Sequence, residues 1–249
     1  MRGLRTLSIA TVAAVVAAFA LVFFYAPLDA DQGFVQKIFY LHVPLAILAL
    51  VGFVVAAVHA IRHLRTNDPV HDARSYVSIH ISVIFGVAVL ATGSIWARAS
   101  WGKWWVWDEP TLVSFLIVFL LYATYYPLRY SIEDRDRQAR YASVFAITAG
   151  AFVPLNFLAV RLAESLLHPR VFATAEGGMP GSMWLTFLVS LAGIGLLWVT
   201  LVRFELTAKQ ASAQLSRLRR ALEAPPRPAP AGPESRPSAT VPARPTVGS

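Results

Sequence analysis

The sequence predicts an all-α integral membrane protein, a bundle of six transmembrane helices, on the strength of three observations. Hydrophobic residues make up 56% of the 249 residues and charged residues only 14%, whereas soluble domains carry about a quarter charged residues. Six apolar stretches each approach the length of about 20 residues that a helix needs to cross a bilayer. The basic residues lie in short segments between those stretches and form no basic stripe of the kind that binds nucleic acid. We therefore expect membrane lipid and no nucleic acid around the bundle.

The six stretches follow one another with short polar segments between them. Each is predicted to be helical, because in lipid the backbone polar groups must be satisfied within the segment. The first stretch follows Arg2 and Arg5, as the core of a signal peptide would. Its apolar run over residues 7–26 is longer than the roughly 7–15 residues of such a core, so we expect a retained helix. In chain order the stretches lie near residues 5–27, 38–61, 77–97, 111–128, 141–161 and 183–203.

The distribution of lysine and arginine predicts which segments face the cytoplasm. If the N-terminus is inside, the inner segments hold 17 of the 22 basic residues and the outer segments hold five, as the positive-inside rule requires. Both termini are therefore predicted to be cytoplasmic. Three outer loops then fall near residues 28–37, 98–110 and 162–182.

The chain is predicted to divide into three parts. Residues 1–204 form the six-span membrane domain, and residues 205–223 keep leucines at helical spacing among polar residues, which favours a short amphipathic cytoplasmic helix. Residues 224–249 are rich in Pro, Ala and Arg, a composition that cannot build a core and is typical of disorder. There is no cysteine, hence no thiolate ligand, and no P-loop motif, so any ATP hydrolysis would belong to a partner.

Tryptophans are concentrated in the second outer loop, near residues 93–110. Five of the seven tryptophans lie within twelve residues, followed by Asp108: they are Trp96, Trp101, Trp104, Trp105 and Trp107. An aromatic belt at the lipid headgroups is the alternative interpretation. The density favours instead a flat apolar surface for a large planar ligand, since aromatic faces bury much area.

Two histidines are predicted on the same side of the membrane as this loop. His42 lies near the outer end of the second span and His168 lies in the third outer loop. A lone interfacial histidine is more often structural, but two beside a tryptophan surface suggest the axial ligands of a haem iron. Arg98 and Lys103 flank the loop and are candidates to bind the haem propionates. His59 and His63 are spaced four apart, which can bind metal, although a solvated inner helix face is favoured.

The tryptophan and histidine segments together resemble a known family. Residues 92–97 and 101–108 resemble the tryptophan-rich "WWD" signature of haem-handling proteins. Residues 36–44, around His42, resemble the first histidine motif of the cytochrome c maturation protein C (CcmC) branch, and 156–157 with 167–168 resemble the second. The likeness extends over about residues 30–203. The resemblance depends on these motifs and on the six spans, and not on composition.

The resemblance implies a haem-binding protein of the bacterial inner membrane that is not itself an enzyme. His42 and His168 would be the axial ligands of haem b at the periplasmic face, and the loop tryptophans with Asp108 would form the platform. The haem would pass to a membrane-tethered chaperone (CcmE-like), with a small membrane subunit (CcmD-like) and an ATPase complex (CcmAB-like) as further partners. The sequence departs from the family pattern at Pro110, where an arginine is usual, and at residues 161–164 and 169.

Three other functions compete with haem presentation. A synthase-type haem-attachment subunit (CcsA/CcmF-like) would usually have more spans and a large outer domain. A permease moving haem or another solute with an ATPase partner would need polar groups along a path through the bilayer, yet the middles of these spans are mostly Ala, Val, Leu and Phe. A scaffolding subunit would use the tryptophans to contact another protein and would carry no chromophore.

Overall fold

A computed structural model describes residues 2–162 and 179–223, with the exception of the side chains of residues 159–161. This part of the chain is almost entirely helical, and its one β-type pairing is an isolated bridge between Asp29 and Gly33. His168 and the tail from residue 224 lie outside the described residues. The helices are α1 (Arg2–Phe24), a 3-10 helix (Phe34–Ile38), α2 (Phe39–Thr66), α3 (Pro69–Trp101), α4 (Pro110–Ala123), α5 (Tyr125–Tyr130), α6 (Arg135–Leu162) and α7 (Gly181–Glu223).

Six helical segments are long and apolar enough to cross a membrane. The 3-10 helix and α2 count as one such segment, as do α4 and α5, while α1, α3, α6 and α7 each supply one. The predicted six-span, all-α membrane protein is therefore confirmed. The cytoplasmic placement of both termini stays a prediction.

Helices α2 and α3 are longer than the apolar stretches that predicted them. Only Asn67 and Asp68 separate these helices. Asn67 adopts the left-handed conformation (φ 53°) and its N–H donates to the His63 carbonyl, while the Asp68 side chain accepts from the Val70 N–H at 2.9 Å. Such caps satisfy the backbone groups that a helix end leaves open. The helices therefore run through their charged ends to a tight turn rather than stopping where the apolar residues stop.

Small residues bring α2 and α6 close together in the core. A Cβ atom on Gly150 would lie 2.7 Å from the Ala57 Cβ, so only glycine permits this approach of the two backbones. The Tyr122 ring from α4 stacks on Phe53 with centroids 3.8 Å apart, and its hydroxyl oxygen lies 3.3 and 3.2 Å from the backbone carbonyl oxygens of Phe53 and Ala146. Close packing of this kind is the main force between helices in lipid. Small residues thus bring α2 and α6 together, and the buried Tyr122 ring joins α4 to both.

The first and last helices are joined to the bundle by a few polar contacts. The Thr11 and Thr200 hydroxyls of α1 and α7 lie 2.7 Å apart, and the Trp198 N–H donates to Ser82 of α3 at 3.3 Å. The buried Lys37 ammonium donates to the carbonyls of Val22 and Ala26. A cation at the end of α1 is favoured by the helix dipole. Lys37 therefore serves the fold, by tying the 3-10 helix to α1.

The chain beyond Gln210 belongs to a second unit, Ala211–Ser249. Its described residues 211–223 are helical and their side chains are exposed. The division of the chain at residues 204 and 223, predicted from composition, stays a prediction.

Candidate functional site

The loop of tryptophans borders an apolar cavity of about 230 Å³. Side chains of α2, α3, α4 and α6 line it, together with Gln32 from the segment after α1. We call this the tryptophan cavity, because four of the residues predicted from sequence meet on its wall: His42, Trp96, Trp101 and Trp105. Residues far apart in the chain are thus brought to one concave surface, as ligand sites require.

The His42 imidazole is held against one turn of α3. His42 lies in the first turn of α2, and its Nδ1 is 2.9 Å from the Thr92 hydroxyl oxygen. A Cβ atom on Gly93 would lie 2.8 Å from His42 Cε1, so the ring occupies the space that a glycine leaves open. The Trp96 ring meets the imidazole edge to face, with centroids 5.7 Å apart and planes at 79°. Three successive contacts along α3 therefore set the position of the ring.

The Trp96 indole is itself fixed by the segment that follows α1. Its Nε1–H donates to the Gln32 side-chain oxygen at 2.8 Å, and the Ser100 hydroxyl lies 3.5 Å from the same oxygen. The Asp29 carboxylate accepts from the backbone N–H groups of Asp31 and Gln32, at 3.0 and 2.8 Å, and so shapes this turn. The segment after α1 is thereby tied to the cavity wall.

The remainder of the tryptophan loop is irregular and largely exposed. Helix α3 ends at Trp101 because Gly102 adopts the left-handed conformation (φ 73°), and the Arg98 guanidinium donates to the Gly102 carbonyl. Trp104 and Trp107 are 61% and 72% exposed. The Trp107 ring still contacts the cavity residue Trp105, with centroids 5.9 Å apart at 64°. The loop therefore has a cavity-facing part and an exposed part.

The structure separates the predicted site residues into three groups. His42, Trp96, Trp101 and Trp105 line the cavity. Trp104, Trp107, Asp108, Arg98 and Lys103 are exposed on the same loop or its helix end and do not line the cavity. His168 lies outside the described residues. The roles of all three groups in ligand binding stay predictions.

Sequence reasoning missed three residues of this region. Thr92 and Gln32 hold His42 and Trp96, and Glu109, directly before α4, is entirely buried. Thr92 could have been found from the sequence, because it lies four residues before Trp96 and so shares its helix face. Gln32 could not have been found in this way, since its contact with Trp96 joins residues 64 positions apart.

The histidines near the other end of the bundle have different partners. His59 Nδ1 lies 3.3 Å from His71 Nδ1, and His63 Nδ1 lies 2.9 Å from the Ser143 hydroxyl. His80 pairs with Glu205 at 2.7 Å. Among the described residues, no group of three or more His, Asp or Glu side chains is placed to hold a metal ion. His59 and His63 thus contact different partners, although their spacing places them on one face of the helix.

Fold and site together define a class: a polytopic membrane protein with a histidine-bearing, tryptophan-lined cavity near one end of its helices. The family model described as Heme exporter protein C (CcmC) matches residues 1–221, and the chain belongs to that family. Heme exporter protein C of Rhodobacter capsulatus is 32% identical over 205 residues, covering 80% of this chain and 84% of the relative. That of Paracoccus denitrificans is 30% identical over 204 residues, with the same coverage.

A plant relative extends the comparison to mitochondria. A putative cytochrome c biosynthesis ccmC-like mitochondrial protein of Arabidopsis thaliana is 36% identical over 97 residues, covering 39% of this chain and 38% of the relative. The family expected from the tryptophan and histidine motifs is therefore confirmed.

Proposed function

We propose that this protein binds haem b at the outer face of the cytoplasmic membrane and presents it for the biogenesis of c-type cytochromes. The observation that carries the proposal is the position of His42, on the wall of a cavity lined by three tryptophans. Imidazole is a standard axial ligand of haem iron. Membership of a family described as Heme exporter protein C supports haem handling. In this proposal haem is cargo, and the protein does no covalent chemistry on it.

The residues around the cavity fit a haem in type and arrangement. An apolar, aromatic wall suits the macrocycle, and the imidazole of His42 supplies the nitrogen ligand. The cavity of about 230 Å³ is smaller than the roughly 300–1,000 Å³ of ordinary ligand pockets. The cavity-lining residues would therefore hold only part of a haem. The exposed rings of Trp104 and Trp107 are available for the remainder.

The other predicted site residues take their places around this cavity in the proposal. His168 would supply the second axial ligand, and Asp108 would complete the platform formed by the loop tryptophans. Arg98 and Lys103 are exposed cations beside the cavity, and propionates are bound by such groups. Exchanging both for glutamate should lower haem retention, measured as the haem-to-protein ratio after gel filtration. Unchanged retention would remove these two cations from the proposal.

The predicted topology gives the side of the membrane at which haem would be transferred. With both termini cytoplasmic, the end of α3 that carries Trp96 lies at the outer face, where a CcmE-like chaperone could collect the haem. CcmD-like and CcmAB-like subunits are the further partners proposed. Transfer must displace an axial ligand, and we expect His168 rather than His42 to be displaced, since α3 holds the His42 ring by three contacts. Stopped-flow transfer at the same rate in wild type and His168→Ala would contradict this order.

The visible spectrum of the purified protein tests the proposal directly. The protein would be extracted in mild detergent and compared with His42→Ala, His168→Ala and the matched control His59→Ala. A Soret band with low-spin α and β bands is expected in wild type and in the control, and is expected to shift or disappear in the other two variants. Absence of haem from the wild type, even with excess haem and the chaperone present, would overturn haem presentation in favour of a scaffold or a permease.

A further inference from the structure

The direction of the hydrogen bond between His42 and Thr92 depends on where the Thr92 hydroxyl directs its one hydrogen. The Thr92 hydroxyl oxygen lies 2.7 Å from the Ala88 carbonyl oxygen and 3.2 Å from that of Val89. A carbonyl oxygen only accepts, and a hydroxyl has one hydrogen to donate. The shorter of these contacts, to Ala88, favours a hydrogen directed along α3. With its hydrogen on the Ala88 carbonyl, the hydroxyl accepts from His42, 2.9 Å away.

In that arrangement the ring nitrogen that faces Thr92 carries hydrogen. A neutral imidazole has one N–H nitrogen and one nitrogen with a lone pair. With the hydrogen on Nδ1, the lone pair is on Nε2. In histidines that ligate metals, the bond made by one nitrogen sets which nitrogen binds the metal. The Thr92 contact therefore selects Nε2 of His42 as the ligating atom.

The packing around the ring supports the same orientation. The ring cannot slide along α3 without meeting the backbone at Gly93 or the indole of Trp96, which Gln32 holds by a 2.8 Å hydrogen bond. A ring flip would place a carbon at the Thr92 oxygen and lose the hydrogen bond. The contacts with Thr92, Gly93 and Trp96 thus favour one tautomer and one orientation of the His42 ring.

We propose that Thr92 is a positioning residue, which holds His42 as the Nδ1–H tautomer with Nε2 as the haem-ligating nitrogen. The inference rests on the proposed function, because it names the ligating atom of the same site. Hydrogen bonds to the second nitrogen of a metal-bound histidine raise its basicity, and their loss lowers metal affinity about 10–100-fold. A less basic imidazole also stabilises ferric iron less, so the haem midpoint potential rises when the bond is lost.

The tautomer can be measured in the haem-free protein by ¹⁵N NMR of the histidine rings. Signals of His42 are assigned by their loss in His42→Gln. In the wild type at neutral pH we expect an N–H shift for Nδ1 and a lone-pair shift for Nε2. Thr92→Val, which keeps the branched shape and removes the acceptor, should move His42 towards the Nε2–H tautomer that free histidine prefers. Thr92→Ser should retain the wild-type pattern.

Haem titration then measures the consequence for binding. Thr92→Val should lose about 10–100-fold in haem affinity and raise the midpoint potential, whereas Thr92→Ser should behave as wild type. The matched control is Thr148→Val, because Thr148 also donates to the carbonyl four residues earlier, at 3.1 Å, but on an exposed face of α6. Equal loss in this control would show a general effect of removing helix threonines and would overturn the inference.

Two different results separate this inference from the proposed function. If His42 of the haem-free wild type is the Nε2–H tautomer, the proposed role of Thr92 is overturned, even if the protein binds haem. A Thr92→Val variant with wild-type haem affinity and midpoint potential would do the same. Failure of the wild type to bind any haem would instead remove the proposed function, while the NMR measurement would still report the tautomer.

Discussion

The two ends of α3 use opposite means to hold their side chains. Near its start, Asp72 forms a two-pronged ion pair with Arg129, at 2.6 and 2.8 Å, and both side chains are nearly buried. Near its end, Thr92 and Trp96 make hydrogen bonds to the polar side chains of His42 and Gln32. The two regions lie about 30–36 Å apart along the axis at 1.5 Å per residue. One end is held by a carboxylate–guanidinium pair and the other by hydrogen bonds without a carboxylate.

The difference reflects what each end has to do. A paired charge fixes two helices strongly, because removing either partner leaves an uncompensated buried charge. Near the cavity, a carboxylate bonded to His42 would also orient the ring, but it would place a negative charge on the wall of an apolar cavity. A threonine hydroxyl orients the same ring without adding charge. The ion-paired end therefore secures the fold, while the tryptophan end remains apolar enough to accept a ligand.

The largest effect is expected at the ion-paired end. Arg129→Met should lower the free energy of unfolding by about 3–5 kcal/mol, because Asp72 is left buried and unpaired. The double variant Asp72→Leu with Arg129→Met should recover much of that loss, since an apolar pair has no charge to desolvate. Unfolding would be followed in detergent by circular dichroism. If Arg129→Met left the free energy of unfolding unchanged and shifted the Soret band, the ion pair would act on the site rather than on the fold, and the contrast between the two ends would be wrong.

A single methyl group at Gly93 should act on the site without harming the fold. The added Cβ would meet His42 Cε1 at 2.8 Å, so the imidazole must move, and haem affinity should fall about 10–100-fold, as when ligand orientation is lost. Stability should not fall, since alanine is favoured over glycine in a helix by about 1 kcal/mol.

Gly195→Ala is the matched control for Gly93→Ala, because nothing lies within 4 Å of a Cβ at Gly195. Both affinity and thermal unfolding would be measured for the pair of variants. Equal haem affinity in the two would show that the close approach of His42 to Gly93 has no role in binding.

Substitutions in the cavity-facing part and in the exposed part of the tryptophan loop should differ in their effect on haem affinity. Trp105→Leu removes an aromatic wall and should lower haem affinity about two- to tenfold, from the roughly 0.5–1.5 kcal/mol that aromatic pairs contribute beyond area. Trp104→Leu, at a position 61% exposed, should have a smaller effect on binding. Fluorescence quenching on haem titration would measure both. A larger loss from Trp104 than from Trp105 would place the binding surface outside the cavity.

The smallest effect is expected at Gln32. Gln32→Leu leaves the Trp96 N–H without its 2.8 Å acceptor, and should lower the free energy of unfolding by about 1 kcal/mol. Ser100→Ala should change stability less, because its 3.5 Å contact to the same oxygen is long for a hydrogen bond. Chemical unfolding and the Trp emission maximum would be compared. An effect of Ser100→Ala as large as that of Gln32→Leu would show that the indole has another anchor.

The hydropathy pattern and the motifs predicted most of the fold and part of the site. They predicted six spans, the family and the position of His42 beside the tryptophans. They did not predict that Trp104 and Trp107 would be exposed while Trp105 lines the cavity, because all three occur in one irregular loop. An irregular loop has no periodicity from which to assign faces.

The sequence by itself determined the spans and the family, because both depend on local information. In lipid each segment must satisfy its own backbone, so length and composition suffice to identify a span. Only the tertiary structure decided which residues hold His42 and Trp96 in position. The contacts of His42 with Thr92 and of Trp96 with Gln32 join residues 50 and 64 positions apart. The first contact arises from the packing of α2 on α3, in which small residues such as Gly93 determine how closely two helices approach, and the second arises from the fold of the segment after α1.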